Sequence, residues 1–498
     1  MNHHSKTFVV SSRVITPAGV CEAVEDGHKI VLSDEARESI CHCREYLDAK
    51  VKQNKEPIYG ITTGFGSLCN VSVGADDLSQ LQKNLVMSHS CGVGERVDSK
   101  IVKTMILLKI QSLSYGNSGV QLSTVERLAD FFNNDIIPIV YQQGSLGASG
   151  DLAPLANMCL PLLGLGEVEY KGTVREASEV LAEHGWEPIR LMSKEGLALL
   201  NGTQFMSAHA TWGVYRAKRL LDAANRIAAL SLDAFDGRIE PFGPQVNEVR
   251  HHPGQIAVAA DMRRLLEGSE LIAQHKTHVQ DPYSFRCIPQ VHGAVADAIS
   301  FVTEVITREI NSPTDNPTIF PDDDIIVSAG NFHGEPIALP MDYLCFAVSE
   351  LSNISERRIY KLVAGTRGLP SFLVAKAGLN SGFMIVQYSA ASVLNQSKGL
   401  CWPTSADSVP SSQGQEDHVS MGANSATKLL RVVDNTTRIL GMELMTAAQA
   451  IEFRRPLKSS PRNEELLANF RKEVPFVDID TVMTPLLKRS INFVEQCM

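Results

Sequence analysis

Apolar positions in this chain recur mostly at helical spacing. Leu78, Leu81, Leu85 and His89 fall on one stripe, and Ile101–Leu113 is a second apolar helix. Ser33-Asp34-Glu35 reads as a capped, acidic helix start, and Ser123-Thr124-Val125-Glu126 matches a capping box. Strand-like pieces are few and short: Phe8–Val10, Lys29–Leu32, and a hairpin over Glu167–Val174 turning at Gly172.

From about residue 203 the patterns lengthen. Thr203–Phe235, Pro289–Asn311, Pro336–Val363, Ser381–Leu400 and His418–Phe453 each read as one long helix. Their apolar residues spread round much of the circumference, as in a large bundle whose outer faces are covered by other subunits. The fold expected is mainly α: a long-helix bundle over residues 201–498 with a smaller, loop-rich N-terminal domain over residues 1–200.

Composition narrows the function classes. Of 498 residues, 44% are hydrophobic and 20% charged, the balance of an ordinary soluble chain. The formal charge of −10 leaves no basic face for nucleic acid or anionic lipid. No apolar run is long enough for a membrane span, and the N-terminal stretch is too short for a secretory core, so a cytoplasmic location is expected. Ten cysteines without a CxxC pair suggest reduced thiols, with no disulfide framework and no structural metal.

The helical pattern breaks at Gly144-Ser145-Leu146-Gly147-Ala148-Ser149-Gly150-Asp151-Leu152-Ala153-Pro154. It lacks the Gly-Lys-Ser/Thr ending of a phosphate loop and the second spaced glycine of a nucleophile elbow. A glycine-rich turn is one reading. The other is chemical: attack of the Gly150 nitrogen on the Ala148 carbonyl carbon, with loss of two waters, gives a ring whose exocyclic methylidene comes from Ser149. Small residues and a glycine permit so tight a turn, and a helix starting near Asp151 brings backbone amides close to the developing oxyanion.

With that loop, and with Tyr59-Gly60-Ile61-Thr62-Thr63-Gly64-Phe65-Gly66, Asn201-Gly202-Thr203-Gln204, Gln280-Asp281-Pro282-Tyr283-Ser284-Phe285-Arg286 and Asn331-Phe332-His333-Gly334-Glu335 in order, the chain resembles a known family. These are the aromatic amino acid ammonia-lyases and 2,3-aminomutases that carry a 4-methylidene-imidazol-5-one group. The resemblance runs from about Gly19 into the last bundle helices. It implies that Ala148, Ser149 and Gly150 form this group autocatalytically, with no external cofactor, and that the enzyme is a homotetramer with shared active sites.

The resemblance also assigns roles. Tyr59 takes the β-proton, although by itself a loop tyrosine is better read as structural than as catalytic. A tyrosine of ordinary pKa about 10 would need a depression of roughly 3 units to serve near neutral pH. Asn201, otherwise a helix cap, bonds the substrate or the prosthetic group. Arg286, otherwise a partner for Asp281, takes the substrate carboxylate on its planar fork. Tyr283 and Gln280 line the site, and Phe332 lies against the prosthetic group.

Ser88-His89, Ser381-Gly382-Phe383-Met384-Ile385 and Gln415-Glu416-Asp417-His418-Val419-Ser420-Met421 resemble the histidine-acting branch. There His89 contacts the substrate ring, Glu416 bonds the imidazole, and Met384 forms a soft wall for a flat ring. Without the resemblance, His89 reads as a core residue and Glu416 as a first-turn acid. The activity implied is elimination of ammonium from L-histidine to give trans-urocanate. The alternatives are a tyrosine ammonia-lyase or tyrosine 2,3-aminomutase, since His89 can bond a phenol, and a non-catalytic helical relative.

Overall fold

The computed structural model describes residues 6–53, 57–68, 73–74 and 77–497. Cys69 lies outside them, and the side chain of Cys497 is likewise not described. Helices dominate, and the five long patterns become Gln204–Ala234, Ile288–Glu309, Glu335–Val363, Met384–Leu400 and Gly422–Glu452. Strands Thr7–Val10 and Lys29–Leu32 pair in parallel, and Glu167–Tyr170 with Thr173–Glu176 forms the expected hairpin, extended by Ile137–Pro138. No helix among the described residues is long and apolar enough to cross a membrane.

Two compact units are discontinuous in sequence. The first comprises residues 1–212, 303–342 and 403–427, and the second residues 213–302, 343–402 and 428–498. The first 200 residues thus fall wholly within the first unit, where two later segments join them.

In the first unit, the helix Ser99–Leu113 is buried from Thr104 through Leu113 without interruption. It carries Lys109 inward, together with aliphatic side chains. Lys194 and Asp315 pair nearby, both almost fully buried. In the second unit, the buried Arg358 guanidinium meets Glu443 through Nε at 2.5 Å and Nη2 at 2.9 Å. Ser231 Oγ adds a bond of 2.7 Å to Glu443. Removing one partner of such a pair strands a buried charge, at a cost of about 3–5 kcal/mol.

Three local expectations need correction. Ser123 does not cap its helix, which runs Leu122–Asn133 with Gln121 before it and no side-chain cap. Glu195 from another helix instead fixes the helix entry, accepting from Gln121 N at 2.9 Å and from the Thr124 hydroxyl at 2.7 Å. The last long helix begins at Gly422 and not His418, because Met421 turns left-handed (φ 52°) and donates its N–H to Leu146 O. The helix expected from Ser381 begins at Met384, since the Asp480 carboxylate holds the Ser381 and Gly382 amides, both at 2.8 Å.

Candidate active site

The loop of residues 144–151 lies in the first unit, immediately before the helix Leu152–Cys159. Its backbone is constrained at consecutive positions. Ser149 adopts φ 56°, a left-handed conformation that β-substituted residues disfavour, and Gly150 follows at φ 81°. A Cβ on residue 150 would stand 2.2 Å from Gly202 O, so only glycine fits there. Gly147 is also close to its neighbours, with its virtual Cβ 2.3 Å from Ser420 Oγ and 3.2 Å from Ser420 N.

Polar contacts hold this turn from several sides. Asp151 N donates to Gly202 O at 2.8 Å, and residues 150 and 202 form an isolated parallel bridge. Ser145 Oγ lies 3.3 Å from both Gly150 O and Asp151 Oδ1, and accepts from Gly147 N at 3.2 Å. Asn201 does not cap the long helix; its Nδ2 donates to Ser149 O at 3.2 Å. The first turn of Gln204–Ala234 is served instead by Asp151, whose Oδ2 accepts from Met206 N at 2.9 Å. Burial pushes the Asp151 carboxyl up to about 7, against the pull of the Met206, Ser145 and Phe205 donors and the Lys109 charge.

Glu416 faces the loop from the 403–427 segment. Its Oε1 is 3.4 Å from Ser149 Oγ, and its Oε2 accepts from Ser411 Oγ at 2.8 Å. The Ser411 and Glu416 backbones bond each other, closing the short turn that presents the carboxylate. The His89 ring lies within the field of Glu416, which favours its protonated form, but burial outweighs this and lowers its pKa. Ser88 Oγ and His89 Nδ1 are 3.0 Å apart.

Tyr59 joins the same cluster through Gly66. Gly66 N donates to Tyr59 Oη at 3.4 Å, and a Cβ on Gly66 would lie 3.8 Å from Glu416 Oε1. Ser67 N donates to Ser412 Oγ at 3.2 Å, fastening this loop to the turn before Glu416. Phe332 is half-buried in the turn that precedes Glu335–Val363. The adjacent His333 lies 3.4 Å, Nε2 to Nδ1, from His418.

The remaining expected residues lie in the second unit. Arg286 stacks its guanidinium 4.6 Å from the centroid of the Tyr283 ring, which is 70% exposed. Asp281 is occupied by Arg238 N at 2.6 Å, Arg367 Nη2 at 3.2 Å and His278 Nε2 at 3.2 Å, rather than by Arg286. Arg286 Nε is buried without a hydrogen-bond partner among the described residues. Gln280 O accepts from Arg367 Nη2 at 3.2 Å, and Met384 is half-buried at the start of its helix.

The first unit therefore brings Tyr59, His89, Ala148–Gly150, Asn201 and Glu416 into one region, while Gln280, Tyr283 and Arg286 belong to the second unit. Sequence reasoning passed over Ser145, Ser411, Ser412 and Lys109. Lys109 alone carried a signal, a charge in the middle of an apolar helical run.

A glycine-walled turn with a left-handed serine thus faces a carboxylate and an amide in a largely helical protein. Comparison with known proteins gives the class. The aromatic amino acid lyase family profile matches residues 15–472. The chain is 49% identical to a histidine ammonia-lyase of Caldanaerobacter subterraneus, covering 95% of this chain and 94% of that one. Among solved structures, histidine ammonia-lyase from Trypanosoma cruzi superposes with a TM-score of 0.91 at 39% identity, covering 98% and 93% of the two chains. Tyrosine aminomutase from Streptomyces globisporus gives 0.93 at 34% identity, covering 98% and 97%. The chain belongs to the aromatic amino acid lyase family.

Proposed function

We propose that this protein is a histidine ammonia-lyase, which eliminates ammonium from L-histidine to leave trans-urocanate. The observation that carries this reading is the Glu416 carboxylate, braced by Ser411 and 3.4 Å from Ser149 Oγ, with His89 in its field. An imidazole has N–H groups to satisfy such an acceptor, and a phenyl ring has none. The 49% identity to a histidine ammonia-lyase, against 34% to a tyrosine aminomutase, supports the same choice over a tyrosine-directed enzyme.

The residues suit a 4-methylidene-imidazol-5-one made from Ala148, Ser149 and Gly150. The left-handed Ser149, a third position with no space for a side chain, and the Asn201 donor on Ser149 O are the features such a ring requires. When formed, the group supplies an electrophilic carbon that no standard side chain provides. Arg286 takes the substrate carboxylate, its buried Nε being an unused donor beside the fork. Tyr59 removes a β-proton at its phenol oxygen, which accepts from the Gly66 N–H at 3.4 Å. Glu416 and His89 orient the imidazole; Tyr283, Gln280, Phe332 and Met384 complete the lining.

The working assembly is a cytoplasmic homotetramer with shared active sites. In support, the second unit leaves Phe301, Tyr343, Phe346, Tyr360, Ile385 and Tyr388 each at least 40% exposed, large side chains that neighbouring subunits would cover.

Intact-mass measurement tests the prosthetic group. The wild type should weigh two waters less than its sequence, and Ser149→Ala should show no methylidene and almost no release of ammonium from histidine. A wild type of unmodified mass with full activity contradicts the proposal.

A further inference from the structure

Lysine is among the residue types least often buried, yet Lys109 is 1% exposed at the centre of the apolar helix Ser99–Leu113. Burial pulls its pKa down to about 8; Asp315, Cys159 and Asp151 favour the charge, and Lys194 opposes it. Nζ donates to Asn201 O at 2.7 Å and to Ala198 O at 3.2 Å. Both carbonyls belong to the place where the helix Glu195–Leu200 stops, so they lack the next-turn N–H that a continuing helix would give.

These two bonds fix the peptide planes on which the loop rests. Asn201 turns to an extended conformation (φ −70°, ψ 150°), and its side chain reaches Ser149 O. The next residue, Gly202, bridges Gly150 and accepts from Asp151 N. A rotation of the 201–202 segment would displace the amide from Ser149 and the glycine wall from Gly150 together. Hydrophobic contact alone does not set that rotation, because the wall residue has no side chain.

We infer that Lys109 is a positioning residue for the reaction: through the Ala198 and Asn201 carbonyls it aims Asn201 and Gly202 at the Ala148–Ser149–Gly150 loop. It touches neither substrate nor reacting atoms. The inference rests on the proposed function of that loop.

The test is a double-mutant cycle in the full-length enzyme with Lys109→Met, Asn201→Ala and both together. It reads kcat and KM for histidine and the fraction of chains lacking two waters, with circular dichroism and size-exclusion chromatography as folding controls. A parallel cycle uses Lys109→Gln, which keeps an N–H donor. Lys109→Met should fold, lower kcat or the cyclised fraction by about 10-fold or more and leave KM within about 3-fold. The double mutant should fall no more than about 2-fold below the worse single mutant, and Lys109→Gln should recover part of the loss.

Additive losses, or unchanged kcat and mass in a folded Lys109→Met, overturn the inference while leaving the loop chemistry standing. Failure of both Lys109 variants to fold assigns the residue a structural role and overturns it as well. A wild type without the two-water deficit removes the reading of the loop itself, and the inference falls with it.

Discussion

Replacing Glu416 by glutamine keeps the shape of the side chain and removes its charge. One carboxylate oxygen is already served by Ser411 Oγ at 2.8 Å, while the other faces Ser149 with only a 3.4 Å contact. The second oxygen therefore has capacity for a substrate N–H. A hydrogen bond to a charged group contributes about 1.5–3 kcal/mol, which at 1.36 kcal/mol per decade is about 10- to 150-fold in kcat/KM. Phenylalanine leaves the carboxylate without its donor, and a site of this kind rejects such an analogue by about 10⁴–10⁵. The assay is kcat/KM for histidine, tyrosine and phenylalanine on both proteins. Glu416→Gln should lose about 10- to 150-fold on histidine without raising either aromatic substrate to wild-type histidine rates. An unaltered histidine value removes Glu416 from substrate recognition.

Three further outcomes follow from the same geometry. Tyr59→Phe should leave the two-water mass deficit intact and reduce kcat by at least about 100-fold, because only the phenol oxygen is lost; near-normal turnover would show that another group takes the proton. Arg286→Lys should lower kcat/KM about 10- to 100-fold, since a point charge cannot reproduce a planar fork, and an unchanged value places the carboxylate elsewhere. Asp151 is raised from 3.8 to about 7 by burial, so its stabilising contribution is complete below about pH 3.8 and disappears as pH rises through about 7. Between pH 8 and pH 5 the wild type should thus gain about 3 kcal/mol relative to Asp151→Asn, read as a converging or reversing Tm difference. A Tm difference independent of pH contradicts a raised carboxyl.

The long helices were legible because a 3.6-residue period sustained over several turns survives errors at either end. Their starts were not, where tertiary partners decide them: Asp480 takes the Ser381 and Gly382 amides, and Leu146 takes the Met421 N–H. The capping box at Ser123 failed for the same reason, with Glu195 arriving from 70 or so residues away to fix Gln121 N and the Thr124 hydroxyl at the helix entry. The loop of residues 144–154 stood out as a run of small residues, and the role of Ala148-Ser149-Gly150 came from the family resemblance. The loop's supports did not stand out, since Gly202, Ser411 and Lys109 acquire meaning only when their segments meet. The interleaving of residues 303–342 and 403–427 with the N-terminal segment leaves no local trace in the pattern of apolar positions.

Removal of ammonia from histidine is the activity on which the roles of Glu416, His89 and Arg286 depend. Purified wild-type enzyme incubated separately with L-histidine, L-tyrosine and L-phenylalanine, with products separated by chromatography and identified by mass and absorbance, addresses it directly. Histidine should give trans-urocanate and equimolar ammonium, with at most trace product from the other two. Conversion of tyrosine in preference to histidine, or a β-amino acid as the principal product, would contradict this activity.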